Sequence, residues 1–222
     1  MSLLLAGLTV LMIGDSHMTT EGYLISTLHD DLMQQGAKVY SFGACGTPAG
    51  VWMKRMQPPC GSAFRLNDGP VRMRMGQAGI TTPLPELVKK YHPDLIVVVN
   101  GDTMAGYKQA SLPKSWIWHQ VSTLTKGIKA SGASCVWVGP TWGTKGPNSY
   151  GKNYTRVHEM SDYLATIVSP CIYLDSLKME KPGEWKTIDG QHLTEPGYEA
   201  WGYAIAQKIE SPDILSQIRH AK

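Results

Sequence analysis

The stretch Leu8-Thr9-Val10-Leu11-Met12-Ile13-Gly14-Asp15-Ser16-His17 indicates the fold class of the whole chain. Its first six residues are almost wholly apolar, which is typical of a buried parallel strand. The strand ends abruptly in Gly-Asp-Ser, and an amphipathic segment then runs from about Thr20 to Gln35. Strand, tight turn and helix together lift a side chain out of the carboxyl edge of a parallel sheet, where α/β proteins bind ligands. Here that side chain is Ser16, whose hydroxyl is a weak nucleophile until a base activates it.

Four further apolar segments alternate with amphipathic ones along the chain. Strands are predicted at residues 37–42, 94–100, 134–140 and 171–175, and helices at 83–91, 112–130, 153–168 and 194–209. This alternation predicts a five-stranded parallel sheet between two helical layers, a three-layer α/β/α fold. Right-handed crossovers give the flavodoxin-like strand order 2-1-3-4-5. Residues 44–82 are predicted to form a long irregular loop that leaves the same edge of the sheet as Ser16.

Composition narrows the classes of function. The 222 residues are 42% hydrophobic and 18% charged, which suits one folded domain over residues 1–222. A net charge of +3 without a stripe of Lys and Arg argues against a nucleic-acid partner. No apolar run approaches the ~18 residues that a membrane span needs.

The four cysteines bear on the compartment. Cys45 and Cys60 bracket a Gly/Pro-rich loop, and a disulfide between them would tie that loop down. Cys135 and Cys171 lie near the starts of two predicted strands and either pair with each other or remain buried thiols. We therefore expect a periplasmic or extracellular protein, where disulfides persist, with a cytoplasmic enzyme holding four free thiols as the alternative.

Six residues that suit serine-dependent acyl transfer follow the predicted strands at one edge of the sheet. They are Ser16, Gly43, Gly46, Asn100, Asp189 and His192. His192 is the expected base for the Ser16 proton, because imidazole has a pKa near working pH. Asp189, three residues earlier, is placed to orient that imidazole and to stabilise its charged form.

The remaining residues of this set are candidates for an oxyanion hole. The backbone amides of Ser16 and of Gly43 or Gly46, with the side-chain amide of Asn100, can donate to the oxygen that becomes negative in a tetrahedral intermediate. Gly43 is preferred because it lies directly at the strand end, and Gly46 is a close second.

These residues resemble the motifs of the SGNH (GDSL-type) hydrolases. Gly14-Asp15-Ser16-His17, a glycine after the second strand, Asn100 and Asp189-x-x-His192 occur in the family's order between Leu8 and Leu193. The resemblance implies a flavodoxin-like three-layer fold, a Ser-His-Asp triad, and ester substrates that are often acetyl groups on carbohydrate. Two positions depart from the family pattern. His17 stands where Leu is common, and Asn100-Gly101-Asp102 lacks the leading Gly of the usual third block.

Seven Trp and ten Tyr against two Phe suggest a surface that meets sugar rings, because Trp and Tyr combine an apolar face with a polar edge. Trp52 and Trp142, in loops of the active edge, are the predicted stacking residues, with loop packing as the alternative. The sequence thus predicts a serine esterase that removes short acyl groups from a small ester or an acylated carbohydrate, without cofactor or metal. The alternatives are a polysaccharide O-acetyltransferase, a lysophospholipase or thioesterase, and an inactive carbohydrate-binding domain.

Overall fold

A seven-stranded sheet lies at the centre of the computed structural model, which describes residues 3–143 and 149–218. The strands are β1 (Thr9–Gly14), β2 (Lys38–Ala44), β3 (Ser62–Leu66), β4 (Arg72–Arg74), β5 (Leu95–Val99), β6 (Ser134–Val138) and β7 (Ile172–Leu174). They lie in the order β4-β3-β2-β1-β5-β6-β7.

The five parallel strands of the sheet are the ones that the sequence predicts. β1 pairs with β2 on one side and with β5 on the other, and β6 and β7 follow, so the predicted order of these five strands is confirmed. β5 is buried along its whole length because helices cover both faces of the sheet.

The prediction of only five strands is wrong, because residues 44–82 contain two more. β3 pairs antiparallel with β2, and β4 pairs antiparallel with β3. In β3 only Ala63 is fully buried, and every residue of β4 is exposed. Neither strand therefore shows the apolar run or the alternation by which a strand is recognised in a sequence. Both are held by pairing with an existing sheet edge.

In the part of the chain that the structure describes, six α-helices form the outer layers. They are α1 (Thr27–Gln34), α2 (Leu84–Tyr91), α3 (Lys114–Ser131), α4 (Tyr154–Ile167), α5 (Glu195–Ile209) and α6 (Pro212–Leu215). α1, α5 and α6 share one apolar core with one face of the sheet, and α2, α3 and α4 share a second core with the other face. The predicted three-layer architecture is therefore confirmed.

The first helix is shorter than predicted. It begins at Thr27 instead of Thr20, and the intervening residues form turns. Gly22 has a φ of +84° there, a left-handed conformation that ends a regular helix. Leu24 and Ile25 are nevertheless buried, so the apolar pattern correctly marks a segment that packs on the core.

Both cysteine pairs that the sequence suggested are joined by disulfides. Cys45–Cys60 closes the loop after β2, with 5.1 Å between the Cα atoms. Cys135–Cys171 joins β6 to the residue before β7, with 4.4 Å between the Cα atoms. Within residues 3–143 and 149–218, no helix combines the length and the apolar character required to cross a membrane.

Candidate active site

Ser16 begins a 3-10 turn directly after β1. The Asp15 carboxylate accepts a hydrogen bond from the His17 amide at 3.2 Å, which fixes the turn. Ser16 is 7% exposed, and its Oγ donates to His192 Nε2 at 2.7 Å. The strand-turn unit therefore delivers the Ser16 hydroxyl to an imidazole 176 residues further along the chain.

Asp189 holds His192 from the other side. His192 Nδ1 donates to Asp189 Oδ2 at 2.7 Å. The other oxygen, Oδ1, accepts the backbone N–H groups of Gln191 and His192 at 3.0 and 2.8 Å. Partial burial would raise the pKa of Asp189, but these three hydrogen bonds outweigh it and hold the pKa below its ordinary value. Asp189 is therefore a carboxylate, and the geometry predicted for Ser16, His192 and Asp189 is present.

His192 is in the protonation state that a base requires. Burial lowers its pKa from the ordinary 6.5, and the nearby His17 ring lowers it further, against the opposing effect of Asp189. The two imidazole rings lie 5.2 Å apart between centroids. At neutral pH His192 is neutral, so its Nε2 can accept the Ser16 proton.

Of the two glycines considered for the oxyanion hole, the structure favours Gly46. A cavity opens beside Ser16, and Gly46 forms part of its wall. Gly46 has a φ of +72°, a backbone conformation that favours glycine. Among the described residues, no protein acceptor takes the amide hydrogens of Ser16 or Gly46. Both amides are therefore available to a developing oxyanion.

The preference for Gly43 is corrected by its packing. Gly43 lies inside β2 between Gly14 of β1 and Ala63 of β3. A Cβ at Gly43 would lie 2.0 Å from the Met18 carbonyl oxygen, so only glycine lets the turn after Ser16 pack on β2. Gly43 serves this close approach and does not line the cavity beside Ser16, whereas Gly46, beyond the end of β2, does.

Asn100 is buried behind the cavity wall. It is 1% exposed, and its Nδ2 donates to the Thr47 carbonyl at 3.1 Å. The Thr103 hydroxyl donates to the same carbonyl at 2.9 Å. Asn100 therefore fixes the turn that carries Gly46, and its direct donation to an oxyanion stays a prediction.

Neither tryptophan predicted to stack on substrate lines the cavity. Trp52 is 1% exposed within the core under α2 and α3, so its ring is unavailable to a ligand and that prediction is wrong. Trp142 is half-buried; its Nε1 donates to the Leu177 carbonyl at 3.0 Å, and its ring meets Tyr154 edge-on. Its amide donates to Glu180, whose pKa burial raises to about 7. The structure thus favours the packing alternative for both residues.

A buried polar cluster that sequence reasoning did not identify lies behind the triad. His17 Nε2 donates to Asp102 at 2.8 Å, the Lys152 ammonium contacts both Asp102 oxygens at 2.8 and 2.9 Å, and the Tyr107 hydroxyl also donates to Asp102. Burial alone would raise the pKa of Asp102, but Lys152 and His17 hold it well below its ordinary value. The only signal in the sequence is His17 itself, an unusual residue after the serine. Its partners are distant in the chain and follow no spacing rule.

A cavity of about 410 Å³ opens beside the triad. Its walls are Ser16, Cys45, Gly46, Cys60, Asp102, Thr103, Gly106, Tyr107, Lys108, Gln109, Tyr150, Gln191 and His192. In the described part of the chain, no Leu, Ile, Val, Met or Phe contributes to these walls. The described residues also contain no group of three or more His, Cys, Asp and Glu side chains arranged to hold a metal ion.

Comparison with known proteins identifies a close sequence relative. No family model matches the chain. It is similar to Protein BcsX of Komagataeibacter xylinus, with 43% identity over 208 residues. The match covers 93% of this chain and 78% of that protein.

Solved structures with similar folds are more distant in sequence. A GDSL-like lipase from Bacteroides thetaiotaomicron is 15% identical with a TM-score of 0.57, over 91% of this chain and 87% of the other. An acetyl xylan esterase, AlAXEase, is 12% identical with a TM-score of 0.59, over 90% of this chain and 99% of the other. At these identities the likeness establishes a shared fold.

Proposed function

The chain belongs to the family of Protein BcsX and has the SGNH (GDSL-type) hydrolase fold, and we propose that it is a serine esterase that removes acetyl or other short acyl groups from carbohydrate. The observation that carries the proposal is the continuous hydrogen-bond chain from Ser16 through His192 to Asp189, with both links at 2.7 Å. These hydrogen-bonded residues lie at the wall of a cavity large enough for a sugar ester. Serine-dependent acyl transfer needs this arrangement and no cofactor.

Acylation follows from the positions of these groups. The Ser16 oxygen attacks the carbonyl carbon of the ester while its proton passes to His192 Nε2. The carbonyl oxygen becomes negative and is stabilised by the amides of Ser16 and Gly46. When the intermediate collapses, the bond to the alcohol oxygen breaks, and His192 returns its proton to the leaving alkoxide. The acyl group is left as an ester on Ser16.

Deacylation repeats these steps with water. His192 takes a proton from a water molecule as its oxygen attacks the acyl carbon. The second tetrahedral intermediate collapses, the acid leaves, and Ser16 recovers its proton from His192. Asp189 stays ionised throughout and stabilises the imidazolium formed in each half-reaction.

The cavity walls support a short acyl group on a polar alcohol. Besides two glycines and the Cys45–Cys60 disulfide, they consist of polar and aromatic side chains, whereas a groove for a fatty acyl chain requires aliphatic side chains. The structural neighbour AlAXEase is an acetyl xylan esterase, which agrees with this substrate class.

We further propose an oxidising compartment, periplasmic or extracellular. All four cysteines are engaged in two disulfides, and such pairs persist where thiols are not kept reduced. A free-thiol count on denatured protein isolated from its native compartment without reductant tests this. Four reactive thiols would contradict it.

Acetate release from acetylated xylan, together with hydrolysis of 4-nitrophenyl acetate, butyrate and octanoate, tests the proposed activity. Wild type should release acetate from the glycan and hydrolyse the acetate ester fastest, and folded Ser16→Ala should lose about 10⁴-fold or more in kcat. Preference for octanoate would support a lipid substrate. Transfer of acetyl to an added sugar faster than to water would indicate an acetyltransferase. If folded wild type hydrolysed none of these substrates and transferred no acetyl group, the result would contradict the esterase proposal and favour an inactive carbohydrate-binding domain.

A further inference from the structure

One aromatic side chain in the cavity wall has no part in the acyl-transfer steps. Tyr150 is 43% exposed and lines the same cavity as Ser16. Its ring meets the His192 ring edge-on, with 5.4 Å between centroids and an interplanar angle of 78°. Because Tyr150 is partly exposed on the cavity wall, its ring can contact a ligand held beside the reacting atoms.

The other tyrosines near the site are already committed to protein contacts. The Tyr107 hydroxyl donates to the buried Asp102, and the Lys152 ammonium lies over the Tyr107 ring, 5.9 Å from its centroid. The Tyr23 ring is stacked on Tyr198 at 4.0 Å between centroids. Tyr150 is therefore the tyrosine of the described site whose ring is left open to a ligand.

The backbone of Tyr150 is anchored by a buried charge two residues later. Lys152 is 5% exposed, and its ammonium contacts both oxygens of Asp102 at 2.8 and 2.9 Å. Removing an ammonium from water is costly unless it keeps its partner in good geometry. The buried Lys152–Asp102 ion pair therefore fixes the position of the backbone at residues 150–152.

Packing fixes the same segment against both rims of the cavity. A Cβ at Gly151 would lie 3.1 Å from Lys108 Cγ, so Gly151 rests on the Lys108 stem. On the other side, a Cβ at Gly143 would lie 3.0 Å from Lys152 Cδ and 2.5 Å from the Gly190 carbonyl oxygen. The Tyr150 segment thus packs on Lys108 on one side and, through Gly143, on the turn that carries Asp189 and His192 on the other.

We propose that Tyr150 is a specificity-determining residue that stacks on the pyranose ring carrying the scissile ester. This inference rests on the proposed function and names the substrate feature that the site selects. The ring face supplies apolar contact to the sugar C–H groups, while Lys108 and Gln109 on the same wall offer hydrogen-bond donors to its hydroxyls. Tyr150 takes the role that the sequence assigned to Trp52 and Trp142.

Acetate release from two substrates tests this role. Glucose pentaacetate contains a pyranose ring, and glyceryl triacetate is an open-chain acetyl ester. Tyr150→Ala should raise KM for glucose pentaacetate about tenfold, the size of one aromatic contact, and leave kcat/KM for glyceryl triacetate within about twofold. Tyr150→Phe should retain wild-type KM for both substrates, because stacking needs the ring alone. The control is Tyr203→Ala, which removes a 61% exposed tyrosine of α5 outside the cavity and should change neither substrate.

Two results would overturn the proposal. An equal loss on both substrates would show that Tyr150 only supports the triad, and no change in KM for glucose pentaacetate would show that no stacking occurs.

A binding measurement separates this proposal from the proposed activity. In Ser16→Ala, saturation-transfer difference NMR with glucose pentaacetate should show saturation of the sugar ring protons, and Ser16→Ala/Tyr150→Ala should lose most of it. If wild type hydrolysed no ester but this difference held, the esterase proposal would fail and the stacking site would stand. Equal saturation in both variants, or none in Ser16→Ala, would contradict the stacking site whatever the activity.

Discussion

At the scale of single residues, the site depends on how charge is arranged around one imidazole. His192 is 8% exposed, with Asp189 on its Nδ1, Ser16 on its Nε2 and the rings of His17 and Tyr150 beside it. Burial lowers the pKa of His192, so the imidazole stays neutral down to a lower pH than an ordinary histidine would.

The acid limb of the pH-rate profile tests this environment. Protonated His192 cannot accept the Ser16 proton, so kcat/KM falls as pH falls through the His192 pKa of the free enzyme. Because that pKa is lowered, the midpoint for 4-nitrophenyl acetate should lie below pH 6.5. His119→Ala, which alters an exposed histidine of α3, should leave the midpoint unchanged. A midpoint at or above pH 6.5 in folded protein would contradict the structure around His192.

The Lys152–Asp102 pair makes a prediction about stability. Lys152→Met leaves the Asp102 carboxylate buried without its cation, which should lower the free energy of unfolding by about 3–5 kcal/mol. Lys152→Met/Asp102→Asn should recover much of this loss, because the uncompensated charge is gone. Urea denaturation followed by tryptophan fluorescence measures both.

The exposed Arg55–Glu86 pair provides the control for this comparison. Arg55→Met should cost about 1 kcal/mol or less, because both side chains of the pair are open to solvent. A single Lys152→Met variant as stable as wild type would show that the pair is not buried as described.

At the scale of elements, the turn after β2 links a disulfide to the proposed oxyanion hole. Cys45 and Cys60 both line the cavity, and a Cβ at Gly46 would lie 3.4 Å from the Cys60 sulfur. The disulfide therefore packs beside Gly46, whose amide we assign to the oxyanion. Asn100 secures the other end of the same turn through the Thr47 carbonyl.

Removal of this disulfide should therefore affect rate as well as stability. Cys45→Ala/Cys60→Ala should lower kcat by about tenfold or more, because a displaced donor loses part of the roughly 10²–10³-fold worth of an oxyanion contact, with little change in KM. Loop closure over 15 residues predicts a loss of about 3 kcal/mol in stability. Steady-state kinetics and urea denaturation measure the two effects.

The second disulfide is a matched control. Cys135→Ala/Cys171→Ala opens a loop with a sequence separation of 36, for which the same relation gives about 4 kcal/mol. Its sulfurs lie outside the cavity, so kcat at a temperature where both variants are folded should match wild type. Equal losses of kcat in both variants would show that the first disulfide acts only through stability.

The elements differ in how far the sequence determined them. β1, β5 and β6 were predictable because a strand buried on both faces must be apolar throughout. β3 and β4 were not, because their place depends on pairing with β2 and leaves no local pattern. The Asp189-x-x-His192 turn was predictable because its hydrogen bonds close within four residues. The Asp102–Lys152 pair spans fifty residues and depends on the assembled fold.

At the scale of the whole molecule, the sheet brings turns that are distant in the sequence to one edge, and an apolar core covers each of its two faces. The three-layer plan followed from the alternation of strands and helices, whereas the choice between Gly43 and Gly46 required the packing of Met18 on β2. Trp52 was misassigned for the same reason, because a loop tryptophan can turn inward to the core. The amino-acid composition does not show whether a loop tryptophan faces the core or the cavity.

Acid stability is a property of the whole fold that one buried histidine should influence. His29 is fully buried; its Nδ1 contacts Ser41 Oγ at 2.7 Å and its Nε2 donates to the Asn67 carbonyl at 2.8 Å. Burial lowers the pKa of His29 from 6.5 to about 4. Between these values the unfolded chain binds a proton that the folded protein does not, so stability is lost as pH falls.

The comparison of wild type with His29→Gln isolates this effect. The difference in free energy of unfolding between them should shrink by about 3 kcal/mol from pH 7 to pH 4, because only wild type has the His29 proton linkage. Urea denaturation across this range measures it. Parallel stability curves for the two proteins would contradict the assignment of His29 as a buried neutral imidazole.

The central claim, that Ser16 is a nucleophile activated by His192, is tested most directly by covalent labelling with a fluorophosphonate. The Ser16 oxygen should attack phosphorus and displace fluoride, so intact-mass measurement should show one adduct per chain and peptide mapping should place it on Ser16. Folded Ser16→Ala should take up no label, and folded His192→Ala should react far more slowly. A folded wild type that stays unlabelled, or a Ser16→Ala variant labelled as fully as wild type, would contradict the claim.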